Sequence, residues 1–223
     1  MDSKYFLMYK PSKKKLGKIL GIIFASGFLL IFLVHFSYSG FPAKTKKTDA
    51  NILMLEGSLP DSALEKVKDE FQNDGYDMLI ITGLNFQENY YQVSMDRKNR
   101  IINNFNSNAE QTRNELIRMG VDPSRIIAVP GEGTYINRTL KSALVFRDWL
   151  KASKCTVKGI NLISSGPHAR RKWMIYNKIL GKKYSVGIIC YPDFNKPDFL
   201  ENIIKELREF FGMVYYWIIL FFY

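Results

Sequence analysis

The chain has 223 residues, 47% of them hydrophobic and 24% charged, with a formal net charge of +11 at pH 7. That is a globular composition with room for one domain around one core. The charge does not mark a nucleic-acid binder. Lys4, Lys10, Lys13, Lys14, Lys15 and Lys18 precede one apolar segment and Lys44, Lys46 and Lys47 follow it, so most of the excess belongs to membrane topology and lipid head groups, and no nucleic-acid motif accompanies it.

Residues 1–18 are a basic segment. Residues 19–38 (ILGIIFASGFLLIFLVHFSY) hold no formal charge unless His35 is protonated. At about 1.5 Å per residue they span about 30 Å, the thickness of a bilayer core. A secretory signal has a shorter apolar run, about 7–15 residues, and a small-residue cleavage site, which Ser37-Tyr38-Ser39 is not. The expectation is a retained transmembrane anchor. Six lysines before it and three after it predict a cytoplasmic N-terminus and a domain outside the cytoplasm.

After a polar linker (39–50), an apolar run at 51–56 closed by Gly57 predicts a buried parallel strand. Residues 61–71 have helical spacing, with Ala63, Leu64, Val67 and Phe71 on one face. A second strand is predicted at 78–82, closed by Gly83. Residues 84–108 are polar and Asn-rich, a long insertion expected to shape the rim of a site. A helix at 108–119 ends at Gly120, and a third strand follows at 125–129. A helix is predicted at 139–152 with Leu140, Ala143, Leu144, Phe146 and Leu150 inward, then a strand at 159–164, a turn and helix at 166–180, and a fifth strand at 184–191. Strand and helix alternating in this way predict an α/β, Rossmann-like, doubly wound and mostly parallel five-stranded sheet with right-handed crossovers over 51–198.

Cys155 lies just before the fourth strand and Cys190 at the far end of the fifth. Several residues at ~3.3 Å each then separate them, too far for a bridge, so two free thiols are expected. The C-terminal segment 199–223 begins amphipathic, aligning Leu200, Ile203, Ile204, Leu207, Phe210 and Phe211, and ends in MVYYWIILFFY, which has no polar face. That ending is too short to span a bilayer. It reads either as a tail dipping into the outer leaflet or packing on the anchor, or as a buried terminal helix.

Ligands of open parallel sheets bind at the carboxyl ends of the strands, where strand order reverses. The candidates there are Glu56, Gly57 and Ser58; Thr82 and Gly83; Glu132, Tyr135, Arg138 and Thr139; and Ser164, Ser165, His168, Arg170 and Arg171. In the last group Ser165 is a candidate cap, Gly166 permits a tight turn and Pro167 suits a first helical position. The free N–H groups of that helix with His168 and Arg171, three apart on one face, make an anion site suited to phosphate. The competing reading is a well-capped helix with solvated arginines. Glu56 and Glu132 are candidates for a general base or metal ligand, or are solvated loop acids. Gly131-Glu132-Gly133 lacks the remaining glycine of a dinucleotide fingerprint and the P-loop lysine, which lowers a nucleotide-cofactor reading.

Ser164-Ser165-Gly166-Pro167-His168-Ala169-Arg170-Arg171 at a strand end, after a Thr139 and Ala143 helix, resembles the DUF218 family over nearly the whole domain. Ser164, Ser165, His168 and Arg171 match the family's Thr-Ser-x-x-His-x-x-Arg, and Glu110 its acidic helix start. Arg138-Thr139-Leu140-Lys141-Ser142-Ala143 keeps only the threonine and alanine of its Asn-Thr-x-Glu-Asn-Ala, and Glu56-Gly57 replaces a Gly-Gly pair. The resemblance implies a Rossmann-like domain tethered by one helix in the bacterial inner membrane, with a role in peptidoglycan, lipid-carrier or surface-polysaccharide metabolism. Arg138 and Lys141, where the family has Asn and Glu, imply a more anionic ligand or a different role. It supplies no reaction and no cofactor.

The expected function is binding, with or without processing, of a phosphate-bearing envelope intermediate such as a polyprenyl-phosphate-linked sugar. His168, Glu56 and Glu132 would be acid/base groups. Arg138 and Arg171 would clamp charge, Ser165 and Thr139 would give hydroxyls, and Gly57, Ser58, Thr82, Gly83 and Ser164 would line the site. The alternative is a non-catalytic partner of other membrane proteins in a polysaccharide synthesis or export complex.

Overall fold

The computed structural model describes residues 13–39, 44–57, 59, 61–85, 105–134, 136–192 and 198–223. The chain divides into two compact units, Met1–Gly40 and Phe41–Tyr223.

In the first unit, helix α1 (Lys13–Ser39) has 27 residues, about 40 Å of helix, and covers the apolar segment. Its described side chains, Lys15 to Ile31, are all exposed, Phe24 at 83%. Ser26 returns its hydroxyl to Ile22 O (2.6 Å), which satisfies the only polar side chain of that stretch beyond Lys18. Among the described residues no helix is long and apolar enough to cross a membrane. The described side chains of α1 cover only about 25 Å and include Lys15 and Lys18, while the side chains of 32–38 lie outside the described residues.

The second unit is built on β1 (Ile52–Glu56), β2 (Met78–Leu84), β3 (Ile126–Gly131), β4 (Gly159–Ser165) and β5 (Ser185–Tyr191). They form one parallel sheet in the order β3-β2-β1-β4-β5, the Rossmann-like architecture expected. The strands are apolar without alternation because both faces are covered. Leu53, Leu55, Leu79, Ile81 and Ile163 pack with residues of α2 (Asp61–Asn73) and α3 (Asn108–Arg118), and Ile52, Met54, Ile80, Ile160 and Leu162 with residues of α4 (Arg138–Ala152), α5 (His168–Leu180) and α6 (Phe199–Leu220). The chain crosses from β3 at one edge to β4 beside β1, so strand order reverses between β1 and β4 and opens a crevice above their carboxyl ends.

Two expectations need correcting. The linker is pinned to the domain at its end: Lys46 exchanges backbone bonds with Ile188 (2.8 and 2.9 Å), and Asn161 Oδ1 accepts from the Thr48 N–H (2.9 Å), so this segment covers the open edge of β5. Lys47, assigned to lipid head groups by charge counting, instead pairs with Glu70 (2.7 Å) and Asp74. Second, the stripe expected on α6 is not its buried face. Leu200, Ile204 and Phe211 are exposed, whereas Glu206, Glu209, Tyr216 and Leu220 are buried. The helix is rotated toward Glu209 because that carboxylate meets two cationic side chains of α5.

Tyr216, Ile219 and Leu220 join the core, so α6 is half a buried terminal helix, yet its other face stays exposed. Cys155 and Cys190 are free thiols; Cys190 stands opposite Ser164, five residues along β4 from the Gly159–Ser185 pair at its start. Of the insertion expected at 84–108, Leu84 ends β2, Asn108 begins α3, and 86–104 lie outside the described residues.

Candidate functional site

The crevice holds a cavity of about 340 Å³ lined by Glu56, Gly57, Gly83, Leu84, Asn108, Asn137, Arg138, Thr139, Ser142, His168, Arg171 and Tyr216. Its floor is set by two glycines. A Cβ on Gly57 would lie 2.5 Å from Asn108 O, and one on Gly83 would lie 2.6 Å from Ala109 N. Both carbons would strike backbone at the start of α3. That start is fixed from both sides: the N-cap Ser107 Oγ accepts from Glu110 N (3.2 Å), and Glu110 Oε2 accepts from Asn106 N, just ahead of the cap (2.9 Å). Gly83→Ala is therefore expected to cost about 1–3 kcal/mol, the usual range for overpacking, and urea denaturation of the variant checks it. An unchanged midpoint would mean α3 shifts freely.

Glu56 ends β1 and points into a buried cluster. Its Oε2 lies 3.7 Å from Lys172 Nζ and 3.9 Å from His168 Nε2, and its Oε1 accepts from the Tyr176 hydroxyl (3.4 Å). Lys172, 3% exposed, also donates to Ile163 O (2.9 Å), and Tyr176 meets Thr82 Oγ1 (3.3 Å). Burial pushes the Glu56 carboxyl up, but the Lys172 ammonium, His168 and the Tyr176 hydroxyl overcome it and hold the group at about 2. Burial also lowers Lys172, against the pull of Glu56. A carboxylate so acidic is a poor general base near neutral pH. Its chemistry is to anchor the charges around it.

His168 opens α5 and faces three groups. Nε2 looks toward Glu56. Nδ1 lies 3.4 Å from Glu209 Oε2 and 2.9 Å from Arg171 Nη2. Arg171 would leave Nδ1 bare as an acceptor, whereas Glu209 would protonate it. Burial lowers the His168 pKa, but the two carboxylates outweigh burial and raise it above its usual value. Where Nδ1 accepts from Arg171, or where both ring nitrogens are protonated, Nε2 carries a proton beside the cavity, 3.9 Å from Glu56 Oε2. Glu209, 3% exposed on its side chain, also accepts from Arg171 Nη2 (3.2 Å). Arg171 Nε approaches Glu209 Oε2 at ion-pair distance (2.9 Å) but out of line, so that N–H makes no hydrogen bond.

The anion site expected at the start of α5 is thus partly neutralised from within. Ser165 does not cap α5: the N-cap is Pro167, without a side-chain bond, because Gly166 (φ 55°) turns the chain first. The start of α4 is the better anion site. Its N-cap Asn137 sits in the left-handed region (φ 55°) and gives no side-chain cap, and Asn137, Arg138, Thr139 and Ser142 all line the cavity.

Among the expected residues, Glu56, Gly57, Gly83, Arg138, Thr139, His168 and Arg171 meet at the cavity. Thr82 and Ser164 are buried beneath it, and half-buried Ser165 and Arg170 do not line it. Glu132 stands away from it, 88% exposed and paired with Lys141 (3.3 Å). Ser58 and Tyr135 lie outside the described residues. Lys172, Tyr176, Glu209 and Tyr216 were not expected. Among the described residues no three His, Cys, Asp or Glu converge to hold a metal ion. No family model matches the chain, and no curated protein matches it.

Proposed function

We propose that this cavity binds a phosphate-bearing intermediate of the bacterial cell envelope, such as a polyprenyl-phosphate-linked sugar, at the inner membrane. The observation that carries the reading is the convergence of cationic side chains and helix N–H groups on one cavity. Arg138, Arg171 and His168, whose pKa its two carboxylates raise, line it beside the start of α4, which has no side-chain cap. The phosphate would take the α4 N–H groups, Arg138 and the Thr139 and Ser142 hydroxyls, and His168 Nε2 would give a proton to its oxygen. A cavity of about 340 Å³ is in the small-molecule range, roughly 300–1,000 Å³.

α1 would be the anchor, with its N-terminus cytoplasmic and the domain outside. The uncharged run at 19–38 and the lysine asymmetry across it support this. Membership of the DUF218 family belongs to the same proposal and rests on the Ser164-Ser165-x-x-His168-x-x-Arg171 motif.

Thermal-shift measurement of the full chain in detergent, against inorganic phosphate, sugar phosphates and nucleotides, tests the reading. A ligand at about 100 times its Kd adds about 2.7 kcal/mol; Arg138→Ala should remove most of that gain, and neutral sugars should give none. Absence of any shift from phosphorylated compounds, or an unaltered shift in Arg138→Ala, defeats it. Leu200 and Ile204, exposed on α6 ahead of residues 211–223, favour the second reading, a non-catalytic partner in a polysaccharide complex. Full cellular function of a normally accumulating His168→Ala variant would select that one.

A further inference from the structure

We infer that the outer face of the last turns of α6 and the residues that follow it, 211–223, docks on a lipid surface and lies in its plane. The inference is independent of what the cavity binds. From Phe211 to Tyr223 there is no charged residue. Tyr216 and Leu220 turn inward, while Trp217 is 74% exposed and Phe221 and Phe222 are each 81% exposed, with Val214, Tyr215 and Ile218 also on the surface. A contiguous apolar surface of this kind calls for a covering partner.

The side-chain chemistry selects the partner. Tyr215, Trp217 and Tyr223 carry a polar tip on an aromatic body, the residue types that sit at head-group level. Arg208, 72% exposed one turn before the patch and 3.8 Å from buried Glu209 Oε1, turns a cationic head group outward toward the anionic head groups of a bacterial membrane. The segment is about 20 Å long, too short to cross a bilayer and long enough to lie in its interface. A second copy fits less well. Three turns of one helix, about 10 Å across, present far less than the roughly 800 Å² that each partner of a stable interface buries. Because Tyr216 of the same helix lines the cavity, docking holds the cavity wall at the lipid surface.

The test uses the full chain reconstituted into phosphatidylcholine and phosphatidylglycerol vesicles, with and without brominated acyl chains. The emission of Trp217 is taken as the difference between the parent and Trp217→Phe, which cancels half-buried Trp149 and Trp173. Brominated lipid should quench the Trp217 share at least about twofold, with aqueous iodide having little effect. Replacing exposed Phe221 and Phe222 together by Asp should reverse that preference. Quenching by iodide and not by brominated lipid overturns the inference by showing a face in water. Resistance to both quenchers overturns it by showing a face covered by protein.

Discussion

Replacing Lys172 with methionine should lower the unfolding free energy by about 3 kcal/mol, the lower end of the range for removing one partner of a buried ion pair. Methionine matches the volume of the lysine stem and keeps its packing between Ile163 and Tyr176. What disappears is the ammonium 3.7 Å from Glu56 Oε2, the contact that does most to keep that carboxylate ionised. Glu56 then sits in a partly buried pocket with only His168 and the Tyr176 hydroxyl, and Ile163 O loses the Lys172 hydrogen bond. The double variant Glu56→Gln, Lys172→Met should recover at least half of the loss, since a neutral amide does not need a counter-charge. Urea denaturation of the four proteins in one detergent measures the cycle. Additive losses would mean that the two side chains are independent and that the cluster is not the charge centre of the site.

The fold was legible because its signals are local. Ile52 to Leu55 and Met78 to Ile81 are unbroken apolar runs that end at Gly57 and Gly83, and only strands covered on both faces look like that. Glu56 and His168 were legible as site residues from topology alone, since a parallel sheet sends its strand ends to one rim. Lys172 was not, because a lysine in a basic stretch (Arg170-Arg171-Lys172) reads as solvent-facing. Its signal is that it falls in the stripe Ala169, Lys172, Ile175, Tyr176 and Leu180, the buried face of α5. Glu209 was hidden for the opposite reason. Its helix offers a more apolar stripe through Leu200, Ile204 and Phe211, and hydrophobicity alone turns that stripe inward. The pairing of Glu209 with His168 and Arg171, some forty residues earlier in the chain, decides the rotation instead, and no local pattern carries it. The same long-range pairing moves the available anion site from the start of α5 to the start of α4, where Asn137 takes a backbone conformation that its sequence neighbours do not announce.

The acid limb of stability provides the second large effect. A carboxyl held at about 2 in the folded chain, against the ordinary 4.5, gives stability that is fully present above pH 5 and is lost as pH falls toward 2. At about 1.36 kcal/mol per unit of difference this amounts to about 3 kcal/mol. The direction follows from proton binding: the unfolded chain takes up the proton first, so acid favours unfolding. Glu209, which burial raises but His168, Arg171 and Arg208 lower further, acts in the same direction. His168 acts oppositely, since its raised pKa gives stability that is full below 6.5 and fades as pH rises through the folded value. Glu56→Gln removes the Glu56 contribution and weakens that of His168, because Glu56 is one of the two carboxylates that raise the His168 pKa. The parent should lose about 3 kcal/mol more than this variant between pH 5 and pH 2, and as pH rises above 6.5 the variant should lose less than the parent. Parallel stability curves across the acid range would show that Glu56 takes up its proton with an ordinary affinity, and with it would go the view of this residue as the fixed negative charge around which His168 and Lys172 are held.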